Sequence, residues 1–231
     1  MTASYLSLLL ADGRLPTGAH TQSAGVEPAL RHGMRVTEVP SYLRVRLATV
    51  TEVEAAAAVV AGRVWSGRET GAGSLRPAET TSAALREVDR AWRVRTLSDA
   101  LREASDLLGR SYLRTAAAVW DLTPFADAPG PWCRAVVLGV VAAEAGLDPE
   151  QTARLVAYED VQTVVAAALK LEPFDPSVGV RWAADAAVAV EALVARVVDV
   201  RTTDDIPAYS APLVEEWGQH HKTSERRLFR A

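Results

Sequence analysis

Histidine and cysteine, side chains that often bind metals or take part in catalysis, are few and badly spaced in this sequence. It contains four histidines, His20, His32, His220 and His221, and a single cysteine, Cys133. Neither a Glu-x-x-His pair nor a His-Glu-x-x-His motif occurs, so the helical ligand patterns of di-iron sites and zinc proteases are missing. A single cysteine also excludes an intramolecular disulfide and a cysteine-rich zinc site.

The adjacent pair His220-His221 is the one place where two candidate ligands are neighbours in the sequence. Neutral imidazole suits nickel and zinc, but adjacent residues of an α-helix point about 100° apart, which disfavours binding one ion together. Two interpretations stay open, a solvated pair in a polar segment and a transient nickel contact, and the first is the simpler. Cys133 lies in an apolar run, so we expect a buried thiol there.

Sequence signatures of nucleotide binding and of hydrolysis are also missing. The loop Gly-x4-Gly-Lys-Ser/Thr is absent, and Gly71-Ala72-Gly73 lacks the remaining glycine and the strand–turn–helix context of a dinucleotide fingerprint. No Gly-x-Ser-x-Gly elbow is present. The sequence therefore predicts a protein that is not an enzyme, with no catalytic residues, no cofactor and no resident metal.

Composition and charge are those of an ordinary globular protein, with 49% hydrophobic and 23% charged residues. The formal net charge is −4, so no global basic field would attract nucleic acid or an anionic membrane. The apolar stretch near the N-terminus is short and lacks a basic leader, and no uncharged stretch of 18 residues occurs. We expect a cytoplasmic protein that binds neither nucleic acid nor membranes.

Helical periodicity recurs along the whole chain, and alternating strand patterns are nearly absent. We predict an all-α, single-domain bundle of roughly eight to ten helices without a sheet. The clearest helix start combines Asp148 as N-cap, Pro149 at the first position and Gln151 in a capping box. A later helix over residues 176–199 is apolar over most of its circumference, so we expect it at the centre of the bundle.

More specific patterns lie at the two ends of the chain. Residues 8–27 read Leu-Leu-Leu-Ala-Asp-Gly-Arg-Leu-Pro-Thr-Gly-Ala-His-Thr-Gln-Ser-Ala-Gly-Val-Glu, and residues 206–230 contain Pro-Ala-Tyr-Ser and close on Arg-Arg-Leu-Phe-Arg. These segments resemble the opening pattern and the tail of the UreF family of urease accessory proteins. Residues 104–114, with Gly-Arg-x-x-Leu-Arg, resemble the central helix of that family. The similarity extends over essentially the whole chain, and the ends carry most of its specificity.

The resemblance implies a function in urease maturation. UreF-like proteins are all-α dimers that bind a scaffold called UreD or UreH and recruit the GTPase UreG, and the complex docks on apo-urease for nickel insertion. The resemblance therefore implies a chaperone and adaptor that forms a homodimer and modulates GTP hydrolysis. Two departures weaken the transfer of contacts: His20 stands where the family usually has Tyr or Phe, and residues 173–176 read Pro-Phe-Asp-Pro where it often has Pro-Leu-Gly-Gln.

The same resemblance assigns partner binding to both chain ends of one domain, residues 1–231. We expect an N-terminal segment, residues 1–24, and a partner-binding tail, residues 204–231. Residues 222–231 carry four positive charges against one negative beside a Leu-Phe pair that we expect to be exposed, a combination typical of docking surfaces. The expected contacts are His20, Ser23 and Glu27 for the scaffold or dimer surface, and Tyr209, Arg226, Arg227, Leu228, Phe229 and Arg230 for partner recruitment.

Two other classes of protein stay open as alternatives. A helical ligand-binding regulator would need a basic helix-turn-helix near one end. The first 35 residues contain only Arg14, Arg31 and Arg35 as basic residues, and a Pro/Gly loop interrupts them. A cofactor-binding helical enzyme is the second alternative, and it predicts a coloured or metal-loaded purified protein.

Overall fold

The computed structural model describes residues 2–67, 78–122, 125, 128–223 and 228–229. Within these ranges the chain forms α-helices joined by turns and single-turn 3-10 helices, and contains no strand. The predicted all-α fold is therefore confirmed. No helix within the same ranges is both long and apolar enough to cross a membrane.

Among the described residues, eleven α-helices follow one another in chain order. In order they are α1 (Ala3–Leu10), α2 (Val26–Arg31), α3 (Val39–Leu47), α4 (Val50–Ser66), α5 (Ala78–Arg93), α6 (Asp99–Ala116), α7 (Arg134–Glu144), α8 (Pro149–Leu171), α9 (Pro176–Asp185), α10 (Ala187–Val197) and α11 (Pro212–Thr223). Single-turn 3-10 helices occur at Ala19–Thr21, Val36–Glu38 and Thr203–Asp205.

The centre of the molecule is the packing of α4 against α7 and α8. Four consecutive alanines of α4, residues 55–58, are fully buried. A Cβ atom added at Gly139 of α7 would lie only 2.1 Å from the carbonyl oxygen of Ala58. Small side chains thus let these helices approach more closely than larger residues would allow.

The predicted start of α8 is confirmed in detail. The Asp148 carboxylate accepts a hydrogen bond from the Gln151 N–H at 2.7 Å, and the Gln151 side chain accepts one from the Asp148 N–H at 3.0 Å. Pro149 occupies the first position of the helix. Gly146, with φ of +78°, ends the preceding helical segment in the left-handed region, so the α7–α8 turn places α8 back against the core.

The expected central position of the helix over residues 176–199 is wrong. This segment forms two helices, α9 and α10, with Ala186 between them, and both lie at the surface. Val180 and Val188 are 70% and 81% exposed. Only one face of α10, which includes Leu193 and Val197, is buried, because the glycine- and alanine-rich α4 and α7 occupy the centre.

Candidate partner-binding site at the joined chain ends

The opening pattern, residues 8–27, meets the tail at Glu27, in the first turn of α2. Glu27 is only 1% exposed. Its Oε1 accepts a hydrogen bond from the Leu228 N–H and its Oε2 accepts one from the Phe229 N–H, both at 2.8 Å. A buried carboxylate requires such donors, and charge-assisted hydrogen bonds are the stronger kind. Glu27 therefore fixes the backbone of residues 228–229 against the body of the protein.

Arg31 and His221 complete the surroundings of the Glu27 carboxylate. Arg31, one helical turn further on, places Nη2 at 2.6 Å from Oε1 of Glu27. The Nε2 atom of His221 lies 3.5 Å from Oε2 of Glu27 and 3.0 Å from the carbonyl oxygen of Phe229. Because a carbonyl oxygen only accepts, Nε2 is the donor in that contact. We call Glu27, Arg31 and His221 the tail clamp.

The two apolar residues that the tail clamp holds differ in their exposure. Phe229 is 4% exposed, and the Nζ atom of Lys170 lies 4.9 Å from the centre of its ring, within the range of a cation–π contact. Leu228 is 54% exposed. The expected exposed Leu-Phe pair is therefore wrong for Phe229. Its ring reaches α8 because Glu27 and His221 hold both the N–H and the carbonyl group of Phe229.

His220 and His221 also have different environments. His220 is exposed, with its ring centre 6.2 Å from that of His32. His221 is 2% exposed, so the expectation of a solvated pair is wrong for this residue. In the part of the chain that the structure describes, no group of three or more His, Cys, Asp or Glu side chains is arranged to bind a metal ion. Cys133 is buried, as predicted.

His20 and Ser23 lie on either side of the N-terminal turn. His20 is exposed in the 3-10 helix Ala19–Thr21 and lines a cavity of about 330 Å³ whose wall also includes Lys170 and Phe229. Ser23 is fully buried, and its carbonyl oxygen accepts a hydrogen bond from the Val26 N–H at 3.0 Å. His20 therefore borders the tail at the surface, whereas Ser23 belongs to the interior of the turn.

The remaining predicted tail residues are placed differently. Tyr209 is 51% exposed and lines a second cavity, of about 140 Å³. The two cavities adjoin, because Ala19, Gln22 and Glu159 occur in the walls of both. Arg226, Arg227 and Arg230 lie outside the described residues.

A buried ion pair beneath the N-terminal turn was missed in the sequence. Arg46 of α3 contacts Asp160 of α8 through two hydrogen bonds, 2.5 Å from Nη2 to Oδ1 and 3.0 Å from Nε to Oδ2. Burial opposes ionisation of Asp160, but the Arg46 charge and the hydrogen bonds from Arg46 and Thr51 outweigh it and keep the pKa of Asp160 below its ordinary value. At both positions the sequence has a single charged residue on an apolar face of a helix, and this was the signal that could have predicted the pair.

The same arginine supports the backbone of the N-terminal turn. Arg46 Nη1 and the Tyr42 hydroxyl both donate to the carbonyl oxygen of Ala24, at 3.0 and 2.6 Å. Ala24 has φ of +49° and Gly25 has φ of +79°. Two consecutive residues with positive φ are strained for ordinary side chains, so the turn before α2 depends on these two donors.

A second buried cluster borders the smaller cavity through Glu54, Arg134 and Glu159. Arg134 at the start of α7 pairs with Glu54 and Glu159, both at 2.6 Å. The Tyr112 hydroxyl donates to Glu159 at 3.1 Å. Burial and the neighbouring Glu159 charge raise the pKa of Tyr112 well above its ordinary value, so it remains a neutral donor at physiological pH.

Comparison with known proteins decides the family. The sequence model of the UreF family matches residues 35–187. The chain is 34% identical over 238 residues to the urease accessory protein UreF of Mycobacterium marinum and to that of Mycobacterium sp. strain JLS, with 99% of both chains covered in each case. It is 31% identical over 234 residues to the urease accessory protein UreF of Mycobacterium tuberculosis, again over 99% of both chains. The chain belongs to the UreF family.

The UreF family model begins after the N-terminal turn and ends before the tail, so the tail clamp lies outside the matched range. The full-length UreF relatives cover both ends. The family is one of urease accessory proteins, as those relatives are named. In this UreF protein the clamp residues all contact the tail or one another, and such an arrangement recognises a peptide backbone.

Proposed function

We propose that this UreF protein is a urease maturation chaperone. It acts as an adaptor that binds the UreD/UreH scaffold, recruits the UreG GTPase to apo-urease for nickel insertion, and modulates GTP hydrolysis by UreG. The observation that carries this proposal is the meeting of the two chain ends at Glu27. The segments to which the family resemblance assigns partner binding form one surface there, and membership of an accessory-protein family supports the same conclusion.

The candidate contacts divide into two groups by exposure. We propose that His20, Tyr209 and Leu228, which are exposed, contact the partners. Glu27 and Phe229 are buried, and they would contribute by holding the tail in position. For Arg226, Arg227 and Arg230 we propose a part in partner recruitment on the basis of their positive charge alone. We further propose that the protein functions in the cytoplasm as a homodimer, which sedimentation at several protein concentrations would test.

Co-expression tests the maturation function directly. The urease subunits and the remaining accessory proteins are expressed with and without this chain, and nickel content and urease activity are measured on the purified urease. We expect nickel-loaded, active urease only when the chain is present. Equal nickel content and activity without it would overturn the proposal.

A truncated chain that ends at residue 207 tests the role assigned to the tail. This variant lacks α11, and we expect the rest of its helical circular-dichroism signal to remain while binding to the UreD/UreH scaffold and UreG is lost in a pull-down. A matched control is the full chain with Glu172, an exposed residue, changed to Gln. If the truncated chain bound both partners as tightly as this control, the tail would have no part in recruitment.

A further inference from the structure

A separate cavity lies between α6 and the loop that precedes α7, with a volume of about 360 Å³. Its lining residues are Gly109, Arg110, Leu113, Gly130, Pro131 and Trp132. Among these, Arg110 and Trp132 have side chains that donate hydrogen bonds, and none has a side chain that accepts one. The cavity therefore suits a ligand that supplies acceptor atoms.

Arg110 is free to bind such a ligand. It is exposed, and it forms no ion pair with any residue that the structure describes, whereas the nearby Arg93 and Arg102 are both paired with aspartates. Arg114, one turn further along α6, is also exposed and unpaired within the described ranges, but it does not line the cavity. The two arginines thus carry the same charge on one helix and differ in their position relative to the cavity.

Three backbone acceptors of the loop are already occupied by another arginine. Arg86 donates to the carbonyl oxygens of Pro129, Gly130 and Pro131, the last at 2.6 Å. Its guanidinium also lies 3.3 Å from the centre of the Trp132 ring. These carbonyl oxygens would repel an anion, but they contact the positive charge of Arg86 instead. The cavity is therefore more favourable to a negatively charged ligand.

Trp132 itself has unused hydrogen-bonding capacity. The residue is 3% exposed, and its indole Nε1 makes no hydrogen bond within the part of the chain that the structure describes. Buried polar groups are usually satisfied. The wall of the cavity thus combines the exposed charge of Arg110 with a buried indole whose N–H has no partner among the described residues.

Gly109 brings α6 close to the loop at this cavity. A Cβ atom at this position would lie 2.2 Å from the carbonyl oxygen of Trp132, so only glycine lets α6 approach the loop this closely. Arg110 follows directly in the sequence. The Gly-Arg dipeptide of the central helix therefore combines a close packing contact with a side chain at the cavity.

We propose that this cavity binds a carboxylate side chain from an acidic segment of a partner protein, with Arg110 as the ion-pair partner and Trp132 in the wall. A guanidinium matches a carboxylate through two parallel hydrogen bonds. The cavity has one charged lining residue, Arg110, whose single positive charge balances the single negative charge of a carboxylate. The inference rests on the proposed adaptor function only in taking a protein as the ligand.

Nuclear magnetic resonance of the indole N–H groups tests the site without any urease component. The Trp132 signal is assigned with the Trp132→Phe variant, and the full chain is titrated with an acetylated, amidated tetraglutamate peptide. We expect the Trp132 signal to shift and to saturate. Arg110→Gln should weaken binding about tenfold, because it removes a charge-assisted contact, whereas Arg114→Gln should leave the affinity within about twofold as an exposed charge in high dielectric.

Controls separate the cavity from diffuse attraction and from phosphate binding. A tetraglutamine peptide should give no shift. The proposal would be overturned if the glutamate peptide gave no saturable shift, if Arg110→Gln and Arg114→Gln weakened it equally, or if inorganic phosphate saturated the signal more tightly than the peptide. Because maturation is measured separately by urease activity, failure of this site is distinguishable from failure of the adaptor function.

Discussion

The Glu27 carboxylate lies 2.8 Å from the backbone nitrogen of Phe229, although 202 positions separate the two residues in the sequence. The acceptor is a buried charge and the donor is a backbone group, so the contact does not depend on the side chain that the tail presents. Such a contact fixes the position of the tail backbone, and the exposed side chain of Leu228 takes no part in it. Glu27 therefore holds residues 228–229 through their backbone, whatever side chains they carry.

Changing Glu27 to Gln should release the tail. The amide keeps one acceptor oxygen but loses the negative charge, which weakens the two charge-assisted hydrogen bonds and removes the ion pair between Glu27 and Arg31. Hydrogen bonds to charged groups contribute about 1.5–3 kcal/mol each. We expect hydrogen exchange at the Leu228 and Phe229 amides to accelerate by about tenfold or more, measured by mass spectrometry of the C-terminal peptide.

The exposed Glu172 provides the comparison for that experiment. Glu172→Gln removes the same charge without touching the clamp, so exchange at residues 228–229 should match the unmodified protein. Equal protection in the two variants would show that Glu27 does not hold the tail.

Local signals in the sequence predicted the fold well. The cap at Asp148, the proline at position 149 and the reciprocal Gln151 contact all act within one helical turn, so their outcome does not depend on the rest of the molecule. The positions of α9 and α10, by contrast, could not be predicted from local signals. Whether an apolar helix lies inside depends on competition with other helices, and α4 and α7 pack more closely because of their small residues.

The candidate site was predicted only in part for a similar reason. The sequence indicated both chain ends, but it gave no sign that Glu27 would face residues 228–229 rather than solvent. A glutamate looks the same in the sequence whether its carboxylate is buried or exposed, because only long-range packing decides its burial. The pair of Arg46 with Asp160 was missed because its two halves lie 114 positions apart.

Asp160→Asn should strongly destabilise the protein. The change leaves the Arg46 guanidinium buried without its counter-charge, and removing one partner of a buried pair costs about 3–5 kcal/mol. The pKa of Asp160 is lowered in the folded state, so its contribution is complete above the unfolded-state pKa of about 3.9 and is lost as the pH falls through the lower folded value. Urea unfolding at pH 7 and between about pH 4 and 2.5 would measure both effects.

An exposed pair serves as the reference for Asp160→Asn. Arg154 pairs with Glu191 at 2.7 Å on the surface, and Arg154→Gln should cost less than about 1 kcal/mol. The free energy of unfolding should also fall less at acid pH in the Asp160→Asn variant, because the carboxylate that titrates there has been removed. A free energy of unfolding equal to that of Arg154→Gln would contradict the importance of the buried pair.

Gly139→Ala should disrupt the packing of α7 on α4. The added Cβ atom would lie 2.1 Å from the Ala58 carbonyl oxygen, and a backbone atom cannot rotate away as a side chain could. Overpacking of this kind costs about 1–3 kcal/mol. Gly13→Ala is the matched change, because nothing lies within 4 Å of its Cβ position. Urea unfolding should distinguish the two variants, and equal stabilities would mean that the helices separate without cost.

Leu228→Ala and Phe229→Ala should affect partner binding by different routes. Phe229→Ala removes a buried ring and its contact with Lys170, so it should release the tail and accelerate amide exchange at residues 228–229. Leu228→Ala removes an exposed side chain and keeps both hydrogen bonds to Glu27, so exchange there should be unchanged. If Leu228 contacts a partner, its truncation should weaken binding by about tenfold, as interface anchors do.

Calorimetry with the purified UreD/UreH scaffold, and with UreG added, would measure these affinities beside amide exchange. Weaker binding with faster exchange for Phe229→Ala, and weaker binding with normal exchange for Leu228→Ala, would assign positioning to Phe229 and contact to Leu228. Unchanged affinity for Leu228→Ala would instead mean that its exposed side chain takes no part in docking, since the clamp that holds its backbone is intact in that variant.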